Sequence, residues 1–160
     1  MPANMHNWYL KNLYIENLLK EPGGVTLANT PIDLSQIKTP VCFVSTADDH
    51  IAPWVSTYAG ARLFSGPVKF ILGGSGHIAG IINPPASNKY GYRVTNRPPA
   101  DPKRWADRAE VHEGSWWPEW ARWAKRRAGG TVPARLPGDG SLKALEDAPG
   151  SYVRVRAADN

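Results

Sequence analysis

Pro40-Val41-Cys42-Phe43-Val44-Ser45-Thr46-Ala47-Asp48-Asp49-His50 is the stretch on which the fold of this chain turns. Its first six residues form a short apolar run rich in β-formers, the kind that fills a strand buried on both faces of a parallel sheet. A polar loop, residues 46–50, leaves the end of that strand. Pro53 then opens a helix running to about residue 64, with proline in the first turn, where its missing N–H is harmless. Gly66-Pro67 breaks that helix. Val68-Lys69-Phe70-Ile71-Leu72 reads as a second strand, and Gly73-Gly74-Ser75-Gly76-His77 leaves its end. Strand, loop, helix, strand, loop is a βαβ unit, and it predicts an α/β fold with a parallel, doubly wound sheet. Ligands of such sheets bind beyond the C-terminal ends of the strands. Asp49 and His77 both lie just past strand ends, so both point into one crevice.

An acid in one such loop and a glycine-flanked histidine in a later one match the second half of an α/β-hydrolase triad, whose chain order is nucleophile, acid, histidine. His77 would take the proton of a nucleophile, and Asp49 would orient the imidazole and stabilise its charged form. Glycines around His77 let the backbone approach a nucleophile turn closely. The 28 residues from Asp49 to His77 suffice for one helix and one strand. Such pairs also arise by chance, so the pattern alone leaves a catalytic and an incidental reading open. A nucleophile elbow, G-x-S-x-G or G-x-C-x-G, does not occur in the 160 residues. Gly73-Gly74-Ser75-Gly76-His77 comes nearest but has histidine in place of the last glycine. Cys42 lies inside a strand, upstream of the acid, and reads as a small buried hydrophobe. Two clear strands are also fewer than the fold needs. The expected class is therefore α/β, the C-terminal portion of an α/β-hydrolase fold, incomplete, in a piece of a larger protein.

Outside that unit the signals are weaker. Apolar residues Trp8, Leu13, Ile15, Leu18 and Leu19 predict a helix over residues 5–19, stopped by Pro22-Gly23-Gly24. Residues 26–35 read as a connector. Residues 83–105 read as an irregular surface segment, extended near 90–95. A short helix is expected over 105–112. A better one covers 116–128, where Trp116, Trp120 and Trp123 recur at helical spacing. Periodic aromatics of this kind are core residues first and a lipid or polymer surface second. From Gly129 the chain is rich in Gly and Pro, with a terminal strand expected over 151–156. Two domains follow: 1–128, part of a catalytic domain, and 129–160, a C-terminal tail.

Composition narrows the class. Hydrophobic residues make up 42% of the chain, enough for a core. No apolar run reaches the roughly 18 residues a membrane helix needs. The first ten residues lack the basic-then-apolar pattern of a signal peptide, so a cytoplasmic location is expected. A single cysteine excludes an internal disulfide framework and a Cys-rich zinc site. His6 and His112 have no evident metal partners, and no metal or cofactor is expected. The net charge of +5 is spread out; its densest cluster, Lys125-Arg126-Arg127, ends a helix, where the dipole favours cations. It reads as a solvated face, and nucleic acid is not expected as a partner.

The motifs together carry a family resemblance. Met5-His6-Asn7-Trp8-Tyr9-Leu10-Lys11-Asn12 resembles the helix that enters the core after the cap region in class I polyhydroxyalkanoate synthases. Asp49-His50-Ile51-Ala52-Pro53-Trp54 resembles their acid motif. Gly73-Gly74-Ser75-Gly76-His77-Ile78-Ala79-Gly80, with Ile81-Ile82-Asn83-Pro84-Pro85-Ala86, resembles their histidine motif. Gly114-Ser115-Trp116-Trp117-Pro118-Glu119-Trp120 and Ala148-Pro149-Gly150-Ser151-Tyr152-Val153 resemble the C-terminal signature and the end of the family.

The resemblance covers nearly the whole chain. It implies that Asp49 is the catalytic acid and His77 the base of a Cys-His-Asp triad. The nucleophilic cysteine would lie in an upstream elbow, Met1 would be an internal methionine, and the chain alone would be inactive. It implies an acyltransferase that polymerises (R)-3-hydroxyacyl-CoA, as in poly(3-hydroxybutyrate) biosynthesis, with release of CoA. The implied partners are that substrate, the growing polyester chain or its granule in the cytoplasm, and a second copy in a full-length homodimer. His50 either lines the substrate site or supports its loop, and Trp54 either shapes the acyl pocket or packs in the core. Asp48 reads as a solvated loop carboxylate. Two other readings stay open. One is a fragment of another α/β-hydrolase, a depolymerase or esterase, against which the signatures at 83–86 and 114–120 argue. The other is a non-catalytic module binding granules or anions through the basic, Trp-rich C-terminus, in a salt-dependent way.

Overall fold

Asn12 marks where the first helix changes pitch. The computed structural model describes residues 1–157, in two compact units, Met1–Arg126 and a second that begins at Arg127. The first opens with α1 (Ala3–Tyr9), which continues as a π-helical turn over Leu10–Ile15. The Asn12 side-chain amide donates to the Trp8 carbonyl at 2.8 Å, the acceptor that the Asn12 N–H would use in an α-helix. Such local competition accompanies a widened turn. Asn17 then adopts φ +50°, a left-handed conformation that asparagine tolerates, and the helix ends. The helix expected over 5–19 is corrected accordingly: it starts at Ala3, widens at Leu10 and breaks at Asn17.

The connector expected over 26–35 instead holds a hairpin, β1 (Val25–Leu27) and β2 (Thr30–Ile32), with Leu27 opposite Thr30. Its two turn residues, Ala28 and Asn29, both have positive φ, at +47° and +63°. That matches the two-residue turn whose twist suits a tight hairpin. Alanine disguises it, because glycine or asparagine is usual at the first position.

The βαβ unit forms as expected. β3 (Val41–Thr46) leads through α2 (Trp54–Ala61) to β4 (Val68–Gly73), and the two strands pair in parallel from Val41–Val68 to Thr46–Gly73. β4 is buried along its whole length, Lys69 included, as a strand covered on both faces must be. A four-residue helix, α3 (Ala79–Ile82), follows. The chain then returns as β5 (Tyr92–Thr95), antiparallel to β4, with Leu72 opposite Arg93. The sheet order is β3-β4-β5, so the expected parallel, doubly wound sheet is corrected at this third strand, which is antiparallel. No helix carries the chain back to the other end of the sheet between β4 and β5, and a parallel strand needs such a crossover.

Side chains alternate across β4 and split the core in two. Val68, Phe70 and Leu72 pack with Tyr58 and Ala61 of α2, and with Trp105 and Ala106 of α4 (Pro102–Arg108). Ile71 faces the other way, with Tyr92, Trp116 and the partly buried Cys42, Val44, Ile81 and Val94. Lys69, also on that face and buried, pairs with Glu119 of α5 (Trp117–Lys125), which pairs in turn with Arg122. Burial alone would raise the Glu119 carboxyl. The hydrogen bonds and charges of Lys69 and Arg122 outweigh it and hold the carboxyl below its ordinary value.

Two further expectations are corrected. The helix placed at 105–112 is α4, which starts at Pro102 because the Asp101 side chain caps it, accepting from Arg104 N at 2.9 Å. It ends by Arg108, and His112 pairs with Tyr92 as a β-bridge, both backbone bonds 2.8 Å. In the second unit, the strand expected over 151–156 is a 3₁₀ turn, Ser151–Arg154. Glu146 starts that turn, accepting from the Ser151 amide at 2.8 Å and hydroxyl at 2.9 Å. Among the described residues no helix is long and apolar enough to cross a membrane.

Candidate active site

Parallel pairing puts the C-terminal ends of β3 and β4 at one pole of the sheet, and the loops leaving them interlock. The ladder runs on past the strands: Ala47 N donates to Gly73 O at 2.8 Å and Asp48 N to Ser75 O at 3.1 Å. Ser75 sits at φ +69°, left-handed backbone that costs a non-glycine residue about 1–2 kcal/mol. At the far end of the histidine loop, Gly80 passes so close that a Cβ there would overlap the Gly74 carbonyl and lie 2.5 Å from Thr46 Cγ2. The glycine is required by contact with both loops.

Asp49 and His77 meet across this junction, Oδ2 to Nδ1, at 2.8 Å. The other carboxylate oxygen, Oδ1, accepts from Ala52 N at 2.8 Å and Ile51 N at 2.9 Å. The Asp49 side chain is only 7% exposed, whereas that of His77 is 44% exposed. The amide of Ala52 and the His77 ring, with smaller help from Ile51, hold the Asp49 carboxyl below its ordinary value against the opposing effect of burial. An ionised Asp49 accepts a proton-bearing Nδ1, which selects the His77 tautomer whose Nε2 carries a lone pair. The chemical capacity is that of a base held by an acid: Nε2 can accept a proton, and the carboxylate stabilises the resulting imidazolium.

The remaining candidates lie elsewhere. Asp48 is exposed beside Asp49 and contributes its backbone amide to the loop junction. His50 is exposed on the loop surface. Trp54, the first residue of α2, is partly buried and packs edge-on against Tyr58 and Trp105 at the margin of the core, with centroids 6.0 and 6.3 Å away. Cys42 lies within β3 opposite Lys69, packed against the Ile71 cluster. The amides of Ile51 and Ala52 are the site groups that residue types do not reveal. Their only signal is position, two and three residues after an aspartate, where an Asx-type turn can form. Among the described residues no three His, Cys, Asp or Glu side chains gather to hold a metal ion.

Comparison with curated proteins finds relatives of this chain. The chain is 47% identical over 157 residues to the poly(3-hydroxyalkanoate) polymerase subunit PhaC of Rhizobium meliloti, a match covering 98% of this chain and 25% of that protein. It is 41% identical over 159 residues to the subunit of the same name from Cupriavidus necator, covering 98% and 27%. It is 44% identical over 158 residues to the poly(3-hydroxyalkanoate) polymerase of Methylorubrum extorquens, covering 98% and 26%. No family model matches the chain. The chain is thus related to the poly(3-hydroxyalkanoate) polymerases, and it spans about a quarter of the length of these relatives.

Proposed function

We propose that this chain is the C-terminal part of a class I polyhydroxyalkanoate synthase and supplies the acid and base of its Cys-His-Asp triad. Residues 1–128 would belong to an α/β-hydrolase catalytic domain and 129–160 to its tail. The observation that carries the reading is the 2.8 Å contact of Asp49 Oδ2 with His77 Nδ1 at the C-terminal pole of parallel strands. The relatives' names supply the chemistry: polymerisation of 3-hydroxyalkanoyl units. β3 stands at the edge of the sheet, where further strands would add in the complete domain.

In this reading a cysteine on a G-x-C-x-G turn, which the 160 residues do not contain, gives its thiol proton to His77 Nε2. The thiolate adds to the thioester carbonyl of (R)-3-hydroxyacyl-CoA. The bond to the CoA sulfur breaks, and CoA leaves as the thiol with the proton from His77. A 3-hydroxyl then attacks the cysteine-bound thioester, giving up its proton to His77 or, in a second role for the acid, with help from Asp49. The new ester extends the polymer, and the thiol is restored. The activity would operate at a polyester granule in the cytoplasm and need no cofactor.

The test is CoA release from (R)-3-hydroxybutyryl-CoA, with this chain alone and mixed with an upstream synthase fragment bearing the elbow cysteine. Turnover is expected only in the mixture. Turnover by the chain alone would overturn the reading and direct attention to Cys42 or Ser75.

A further inference from the structure

A helix of one turn cannot satisfy its own carbonyls. α3 has four residues, and the last four carbonyls of any helix lack intrahelical partners. A piece this short has no stability of its own in water. Its partners come from a distant segment. Trp116 Nε1 donates to Gly80 O at 3.0 Å, Trp117 Nε1 to Ile81 O at 3.0 Å, and Ser115 Oγ to Asn83 O at 2.6 Å. Three consecutive side chains thus take the carbonyls of two residues in α3 and of the residue that caps it.

That triplet is itself anchored. Ser115 and Trp116 are buried, and the Ser115 hydroxyl accepts from Trp117 N at 3.2 Å. Ser115 N donates to Asn88 Oδ1 at 3.0 Å. Gly114, at φ +81°, lies so near Asn88 that a Cβ would overlap its side-chain oxygen. Asn83, buried, accepts from Lys89 N at 3.0 Å and donates back to Lys89 O, closing the loop between the two motifs.

We propose that Ser115, Trp116 and Trp117 are positioning residues for His77. The link is short. Gly80, whose carbonyl Trp116 holds, donates its own N–H to Gly76 O at 3.0 Å, and that bond spans His77. Capping α3 therefore fixes where the imidazole stands relative to Asp49. The inference rests on the reading of His77 as the base, and it assigns the 114–120 signature a task in that site in addition to packing.

The test needs no turnover. Proton–nitrogen NMR of this chain should show the low-field signal of a hydrogen-bonded His77 Nδ1–H, and carbon-detected titration should show Asp49 ionising below its ordinary value. Trp117→Phe keeps a ring at a position 38% exposed and removes the donor to Ile81. Ser115→Ala removes the bond to Asn83 with little change of volume. Both variants should broaden or lose the His77 signal and move the Asp49 titration upward while far-UV circular dichroism stays native. In the reconstituted mixture they should lower kcat by about ten- to a hundredfold, the scale of a small misplacement of a catalytic group, with KM little changed. An unchanged His77 signal and Asp49 titration in both folded variants would overturn the proposal and leave the triplet a packing element. Absence of the His77 signal from the unsubstituted chain would overturn its premise as well, which separates the two failures.

Discussion

The two loops that meet at the site are held by opposite means. The Asp49 carboxylate is oriented from within its own loop, by amides two and three residues further along. The histidine loop is held from outside, by indole donors 36 residues downstream of the carbonyls they reach and by a serine 32 residues downstream of its own. A carboxylate has acceptors to offer to nearby N–H groups, so a short turn suffices to orient it. An imidazole must keep one nitrogen available for chemistry, so its aim depends on how its backbone is braced. The aspartate end of the pair is thus a local structure and the histidine end a tertiary one.

Substitutions on either side put that contrast to the test. The largest effects fall where the loops meet. In the reconstituted mixture, His77→Ala should slow CoA release by about 10²–10⁴-fold, the usual worth of a positioned base. Asp49→Asn should approach about 10⁴-fold, because an amide favours the wrong tautomer. A steady-state thiol assay checks both. Next comes the packing of the histidine side. Gly80→Ala forces a methyl against the Gly74 carbonyl and Thr46, and should destabilise the fold by about 1–3 kcal/mol, read from urea unfolding.

The acid side should show itself through pH. The folded Asp49 carboxyl lies below its ordinary value of 3.8. Its contribution to stability is therefore complete above about pH 4 and is lost as pH falls through the folded value. Asp49→Asn should flatten that acid limb in thermal melts taken from pH 6 downward. The smallest effect belongs to Asp48→Asn. Its side chain is exposed, and its part in the junction is a backbone amide, so activity should change by about twofold at most. A large loss at Asp48 would mean that more than the Ile51 and Ala52 amides orients the Asp49 carboxylate.

Much of this site is legible in the residues. The strand-forming runs at 40–45 and 68–72 and the helix between them impose a parallel pair, and parallel pairing brings Asp49 and His77 to one pole whatever surrounds them. Other parts are hidden for identifiable reasons. The hairpin at Ala28-Asn29 escapes notice because alanine seldom takes positive φ. The direction of β5 depends on the lack of a crossover between Gly73 and Tyr92, which reads in sequence only as an irregular segment. The helical stripe Trp116, Trp120, Trp123 points to core packing. Trp116 is indeed 7% exposed, yet Trp120 is 40% exposed, and Trp117, outside the stripe, makes a bond to Ile81.

The order of residues suffices to make this chain an α/β protein with an aspartate and a histidine at adjacent strand ends. Hydrophobic periodicity and glycine-proline breaks act over a few residues, and they survive in any context. Which carbonyls the indoles of Trp116 and Trp117 and the hydroxyl of Ser115 reach emerges from the folded arrangement alone. Every backbone carbonyl is chemically alike, and a donor's choice among them is made by the position in which the folded chain sets it.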